Sequence, residues 1–153
     1  MIEKDLRSYL QKMEEAGELL RIRKEVDRVK EASALLKQSV GKGKALLFEN
    51  LSDSSMPAVG NTMASRKWIV KALQCGEQSL ASWFTARTSN GIPPVLLESS
   101  SVKEVVEDSV DLSKLPIFTF YEKDGGPYIT GGIGIQKDPE TGKQNAGYYS
   151  LQL

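Results

Sequence analysis

Histidine is absent from all 153 residues, and with a single cysteine, Cys75, this narrows the chemistry the chain can carry. No zinc finger, no Ser-His or Cys-His catalytic pair and no internal disulfide can be assembled. Cys75 stands beside Gly76 at a helix end with no cluster of bases or cations around it in sequence, so it reads as a packing thiol. Asn145 is a different kind of candidate. An amide oxygen is a hard neutral ligand of the sort magnesium or manganese accepts, although a lone Asn in a loop also serves simply as a turn residue. Two glycine clusters invite a phosphate reading and fail it. Gly41-Lys42-Gly43-Lys44 lacks the phosphate-loop spacing and follows a helix where a strand is required. Gly131-Gly132-Ile133-Gly134 is followed by a strand and a turn where a pyrophosphate needs a helix N-terminus, so these glycines point to close backbone approach, for packing or to make room for a ligand.

The elements that would position Asn145 are legible from turn chemistry. Tyr128 to Gln136 and Ala146 to Leu153 alternate as strands, and Asp138-Pro139-Glu140-Thr141-Gly142 joins them as a polar hairpin loop. Upstream, apolar residues at positions 6, 9, 10 and 13 mark a helix capped by Asp5 and ended by Gly17. Glu18 to Lys24 reads as a strand, Lys30 to Val40 as a helix, Ala45 to Phe48 as a buried strand and Pro57 to Asn61 as another strand. Ser65 to Leu73 and Ser79 to Thr88 read as helices whose Trp68 and Trp83 serve as core or interface anchors. Ser89 to Ser101 is a breaker-rich connection, and Val102 to Val106 is expected to be a strand. This alternation predicts a mixed α/β layer structure, an amino-terminal domain over residues 1–112 and a second unit from 113 to 153.

Twenty basic against twenty acidic side chains give zero net charge with no basic stripe, which argues against nucleic acid as a partner. No run of eighteen apolar residues is present and the amino terminus is charged, so neither membrane insertion nor a secretory signal is expected and the default compartment is cytoplasmic.

The wording of the last third is more specific than its periodicity. Leu115-Pro116-Ile117, Asp124-Gly125-Gly126-Pro127-Tyr128-Ile129-Thr130, Lys137-Asp138-Pro139 and Gln144-Asn145-x-Gly147-x-Tyr149, in this order, resemble the start of the flavin-binding domain of UbiD-type decarboxylases. Asp5-Leu6-Arg7, Gly17-Glu18-Leu19 and Ala45-Leu46-Leu47-Phe48-Glu49-Asn50 are similar to that family's amino-terminal segment. The resemblance implies a mixed α/β (α+β) domain leading into the first strands of a split β-barrel that holds prenylated FMN. It also implies reversible non-oxidative decarboxylation of a small aromatic or α,β-unsaturated carboxylic acid, with a manganese ion, and a potassium ion as a further candidate. Carried over position by position, Asn145 becomes a metal ligand, and Tyr148, Tyr149 and Ser150 become flavin neighbours.

Two departures accompany the resemblance. The family's arginine five residues after the metal-binding Asn is here Ser150, whose hydroxyl supplies neither the guanidinium fork nor its permanent charge. The family's remaining metal ligands and its catalytic glutamates have no counterpart before Leu153, so no catalytic residue is assigned within the chain. The expectation is therefore an amino-terminal portion of such an enzyme, truncated or split, inactive alone and working as a homo-oligomer or with a partner subunit. The competing expectation is a non-catalytic assembly module that completes its barrel with a partner chain.

Overall fold

A computed structural model describes residues 5–76, 79–89 and 91–153. The first helix, α1 (Leu6–Glu15), starts where Asp5 accepts a hydrogen bond from the Ser8 N–H at 2.9 Å, and the chain leaves it through Gly17 at φ +69°. Strand β1 (Leu19–Ile22), helix α2 (Glu31–Val40) and strand β2 (Ala45–Phe48) follow, and β1 and β2 pair in parallel with Leu19 opposite Ala45. The short β3 (Ala58–Gly60) pairs antiparallel with the other edge of β2, giving the order β1-β2-β3.

The central strand explains both cores. Successive side chains of a strand point to opposite faces. Leu46 and Phe48 join Ala32, Leu36, Val26, Leu51 and Phe118 on the α2 side, while Ala45 meets Met13, Leu19 and Trp68 on the side of α1 and α3 (Arg66–Leu73). A strand covered on both faces must be apolar throughout, and Ala-Leu-Leu-Phe is. Ser65 caps α3 by accepting from the Trp68 N–H, and the Trp68 indole N–H donates to the Tyr9 hydroxyl at 2.8 Å. Tyr9 in turn donates to the Thr62 carbonyl at 2.9 Å, so every polar atom of this aromatic pair is occupied. Burial pushes the Tyr9 phenol above its ordinary pKa. Lys44 of the lysine-glycine turn reaches the Gly17 carbonyl at 2.7 Å and the Glu18 carboxylate at 3.2 Å, a structural role that ties the α2–β2 connection to β1.

Beyond α3 the packing thins. Helix α4 (Leu80–Thr88) has no buried residue, and Trp83 is half-buried beneath the Arg87 guanidinium at 4.7 Å instead of anchoring a core. Cys75 is partly exposed, which corrects its reading as a buried packing thiol; α3 ends at an αL cap, Gln74, and the backbone turns outward there. The strand expected over Val102 to Val106 is a 3-10 turn at Ser101–Lys103 followed by irregular chain, because no neighbouring strand offers these valines a ladder. Asn90, in the expected connection, and the charged residues 1–4 lie outside the described residues. Residues 113–120 return to the amino-terminal sheet: Arg28 donates to the carbonyls of Ser113 and Leu115, and Phe118 stacks edge-on against Phe48 at 5.7 Å. The chain then enters β4 (Tyr128–Lys137) and β5 (Gln144–Gln152), an antiparallel hairpin.

Candidate functional site

The hairpin is held by its turn. Asp138 accepts from the backbone N–H groups of Thr141 and Glu140, at 2.6 and 3.0 Å, which also holds its carboxyl below the usual carboxylate range, and Gly142 closes the loop at φ +68°. Pairing runs from Lys137 opposite Gln144 to Tyr128 opposite Gln152, broken once. Between Ile129–Leu151 and Gly132–Tyr149, two residues of β4, Thr130 and Gly131, face the single residue Ser150. This is a β-bulge, a device that bends the strand and re-aims side chains beside it. Sequence reasoning missed it, although a glycine inside a strand pattern is its usual signal.

Register sorts the four predicted site residues into two pairs. Directly opposed residues share a face. Asn145, opposite Gln136, lies with Gly147, Tyr149, Gly134, Gly132, Ile129 and Leu151; Tyr148 and Ser150 lie on the other face with Ile133, Ile135 and Tyr128. Asn145 is thus a strand residue and not a turn residue, exposed, with a neutral amide across from it.

Three glycines clear the Asn145 face; the Tyr149 ring occupies the space left by Gly134 and Gly147, and Ile129 and Leu151 border that of Gly132. A Cβ placed on Gly134 would stand 2.8 Å from the Tyr149 ring, and one on Gly147 would stand 3.2 Å from it. The ring therefore lies over bare backbone, where a flat apolar group is accepted and a side chain at either glycine is not. The upstream Asp124-Gly125-Gly126 segment is also fixed by close approach: Asp124 accepts from the N–H groups of Phe120 and Tyr121, and a Cβ on Gly126 would come within 2.7 Å of the Leu153 carbonyl. The face bearing Tyr148 is apolar and open, with Ile135 65% and Tyr148 77% exposed.

The donor set bears on a metal directly. Among the described residues no group of three or more His, Cys, Asp or Glu side chains is placed to hold an ion, and the neighbours of Asn145 along and across the strands, Gln144 and Gln136, are neutral amides. Manganese wants about six oxygen or nitrogen ligands with carboxylates among them, so these residues do not make a complete cation site. The glycine-cleared face does suit a planar ring. Hollows of about 320 Å³ beside Tyr9 and Trp68 and about 550 Å³ between α2 and Phe120 lie in the amino-terminal body, away from the hairpin. An open strand face becomes a cavity only when something covers it.

Comparison with known proteins brings these features together. Residues 10–87 match the family model for the 3-octaprenyl-4-hydroxybenzoate carboxy-lyase N-terminal domain, and residues 95–153 match that for the Rift-related domain of the same enzyme. Anhydromevalonate phosphate decarboxylase of Methanosarcina mazei is 33% identical over 147 residues, covering 96% of this chain and 33% of the relative. An evolved dimeric form of the UbiD-class enzyme HmfF from Pelotomaculum thermopropionicum, in complex with prFMN, superposes with a TM-score of 0.90 at 36% identity, over 95% of this chain and 35% of that one. Vanillic acid decarboxylase of Sedimentibacter hydroxybenzoicus, in open form, gives 0.85 at 27% identity over 100% and 37%. The chain therefore spans about a third of the length of the relatives it matches. None of its described helices is long and apolar enough to cross a membrane.

Proposed function

This chain belongs to the UbiD family of carboxy-lyases, and from that premise we propose that it supplies the amino-terminal unit and first barrel hairpin of a prenylated-FMN-dependent decarboxylase acting on an aromatic or α,β-unsaturated acid. The observation that carries this reading is the glycine-cleared strand face on which Asn145 and Tyr149 stand together. Gly134 and Gly147 let the Tyr149 ring lie flat on backbone, and a flavin ring would stack against the outer face of that tyrosine. Asn145 would offer one amide oxygen to a divalent cation, which would need further oxygen ligands, carboxylates among them, that the residues around Asn145 do not supply. Tyr148 and Ser150, on the opposite face, reach the same cofactor only through backbone groups or around the strand edge. Ser150 leaves carboxylate recognition to some other cationic group. Prenylated FMN, when bound, supplies the electron-accepting centre for loss of carbon dioxide; the protein's share is orientation and exclusion of water. A domain division near Leu112 and a cytoplasmic location go with this reading.

The test is to co-express the chain with the downstream two thirds of the Pelotomaculum enzyme, add prenylated FMN and manganese, and follow flavin absorbance and CO2 release from aromatic and unsaturated acids. The combined protein is expected to retain flavin, and the 153-residue chain alone to release no CO2. A combined protein that binds no flavin, or robust turnover by the chain alone, contradicts the proposal. A non-catalytic assembly role is the second reading, favoured by the exposed aliphatic segment from Ile92 to Val110. It predicts a complex of increased mass that binds no flavin.

A further inference from the structure

The hairpin reaches the amino-terminal body through a connection with little structure of its own. Every residue from 91 to 114 is exposed, and the regular elements there are the short turns Ser101–Lys103 and Leu112–Lys114. A stretch without packed side chains cannot fix where β4 begins. That task falls to the residues from Leu115 to Tyr128. Phe118 is buried against Phe48, the Thr119 N–H donates to the Arg28 carbonyl at 3.2 Å, and the Lys30 N–H donates to the Thr119 carbonyl at 3.0 Å. Tyr128, the first residue of β4, donates its N–H to the Phe118 carbonyl at 2.9 Å. The root of the hairpin is thus one hydrogen bond away from a buried ring. These bonds hold the downstream end of the segment; its upstream end is held by one side chain. Arg28 Nη1 donates to the carbonyls of Ser113 and Leu115 at 3.2 and 3.1 Å. The other attachments there are weaker, since the Ser54 hydroxyl reaches the Lys114 carbonyl only at 3.4 Å and the Lys114–Glu107 ion pair is exposed.

We propose that Arg28 is a positioning residue for the face that carries Asn145 and Tyr149. By pinning Ser113 and Leu115 to the body, it keeps motion of the exposed connection from reaching Phe118 and Tyr128, and so holds the hairpin at a fixed angle. Arginine suits the task because its charge is permanent and a hydrogen bond from a charged donor is stronger than a neutral one. Arg28 also engages the segment twice, through its side chain upstream and through its own carbonyl at Thr119. Changing the side chain therefore leaves the main-chain attachment in place. The inference deepens the decarboxylase reading and rests on it for the flavin, whereas the pinning is a property of the free chain.

The experiment compares Arg28→Ala, Arg28→Lys and a control, Arg23→Ala, in the full chain. Arg23 carries the same charge, is 81% exposed and pairs with Glu49, away from residues 113–120. In the free chain, Arg28→Ala is expected to speed amide exchange at Thr119 and Tyr128 about tenfold, the scale of losing a hydrogen bond to a charged group. Amides of β1, β2 and β3 in the same sample should keep the parent rate. In the chain co-expressed with the downstream two thirds of the Pelotomaculum enzyme, the same variant should weaken retention of prenylated FMN by a similar factor. Arg28→Lys should recover most of both losses, because one nitrogen makes both bonds. The proposal is overturned if Arg28→Ala leaves Thr119 and Tyr128 at the parent rate, or if the β1–β3 amides speed up as much, since Arg28 would then merely support the fold. It is also overturned if Arg23→Ala weakens flavin retention equally, which would make the effect one of charge alone. Faster exchange at Tyr128 with no flavin bound even by the parent complex would sink the decarboxylase reading and leave the pinning intact.

Discussion

The β1-β2-β3 sheet and the β4-β5 hairpin are both β structure, yet only the first is closed. On β2, Ala45 and Phe48 are fully buried and each face meets helices; on the hairpin, one face has only Tyr149 lying across its glycines and the other has nothing over Ile135 and Tyr148. A sheet covered on both sides holds a core, whereas a two-stranded ribbon is marginal until another layer covers it. The contrast is between an amino-terminal body packed on both sides of its central strand and a hairpin whose faces are open, the state that the proposed cofactor role requires of it.

The largest expected effect breaks the covered sheet. Phe48→Ala removes a wholly buried ring that stacks on Phe118, and should cost about 3–5 kcal/mol in chemical denaturation. Because Phe118 leads into the hairpin, the loss should also loosen residues 113–120. Next is Trp68→Phe, which deletes the indole donor to Tyr9 and should cost about 1–3 kcal/mol by leaving a half-buried hydroxyl short of a partner. Gly134→Val sharpens the comparison from the other side. Its side chain would displace the Tyr149 ring from the strand face, so stability should fall by about 1 kcal/mol, less than for either core substitution, while flavin retention by the completed protein is lost. A flavin-competent Gly134→Val protein would show that the glycine-cleared face is not the cofactor face.

The smallest effect is electrostatic. The Arg21 guanidinium hydrogen-bonds Glu14 at 2.5 and 2.6 Å and Glu49 at 2.5 Å, holding both carboxyls below the usual carboxylate range. Folded values that are lowered contribute stability above the unfolded range and lose it as pH falls through the folded values. Acid unfolding of Arg21→Leu should therefore begin at higher pH than that of the parent. High salt should narrow the gap, since the network is exposed.

Much of this architecture is legible from residue types alone. Ala45–Phe48 stands out because a strand buried on both faces has no polar position, and Asp5, Ser65 and Gly142 announce their caps and turn by side-chain chemistry. Other features depend on what lies opposite in space. Val102 to Val106 has the composition of a strand, but a strand needs a partner and none is there. Trp83 has the bulk of a core residue, but α4 lies where no second layer covers it. The bulge at Thr130–Gly131, and the separation of Asn145 and Tyr149 from Tyr148 and Ser150, follow from register, which a linear pattern near several glycines does not specify.

Amide hydrogen exchange on the free chain tests the contrast between the covered sheet and the open hairpin most directly. Amides of β1, β2 and β3 should be protected to near the global unfolding free energy, while those of β4 and β5 exchange orders of magnitude faster and slow only when the completing polypeptide is co-expressed. Equal protection of the hairpin and the amino-terminal sheet in the free chain would contradict it, for the hairpin would then be stable without a covering layer.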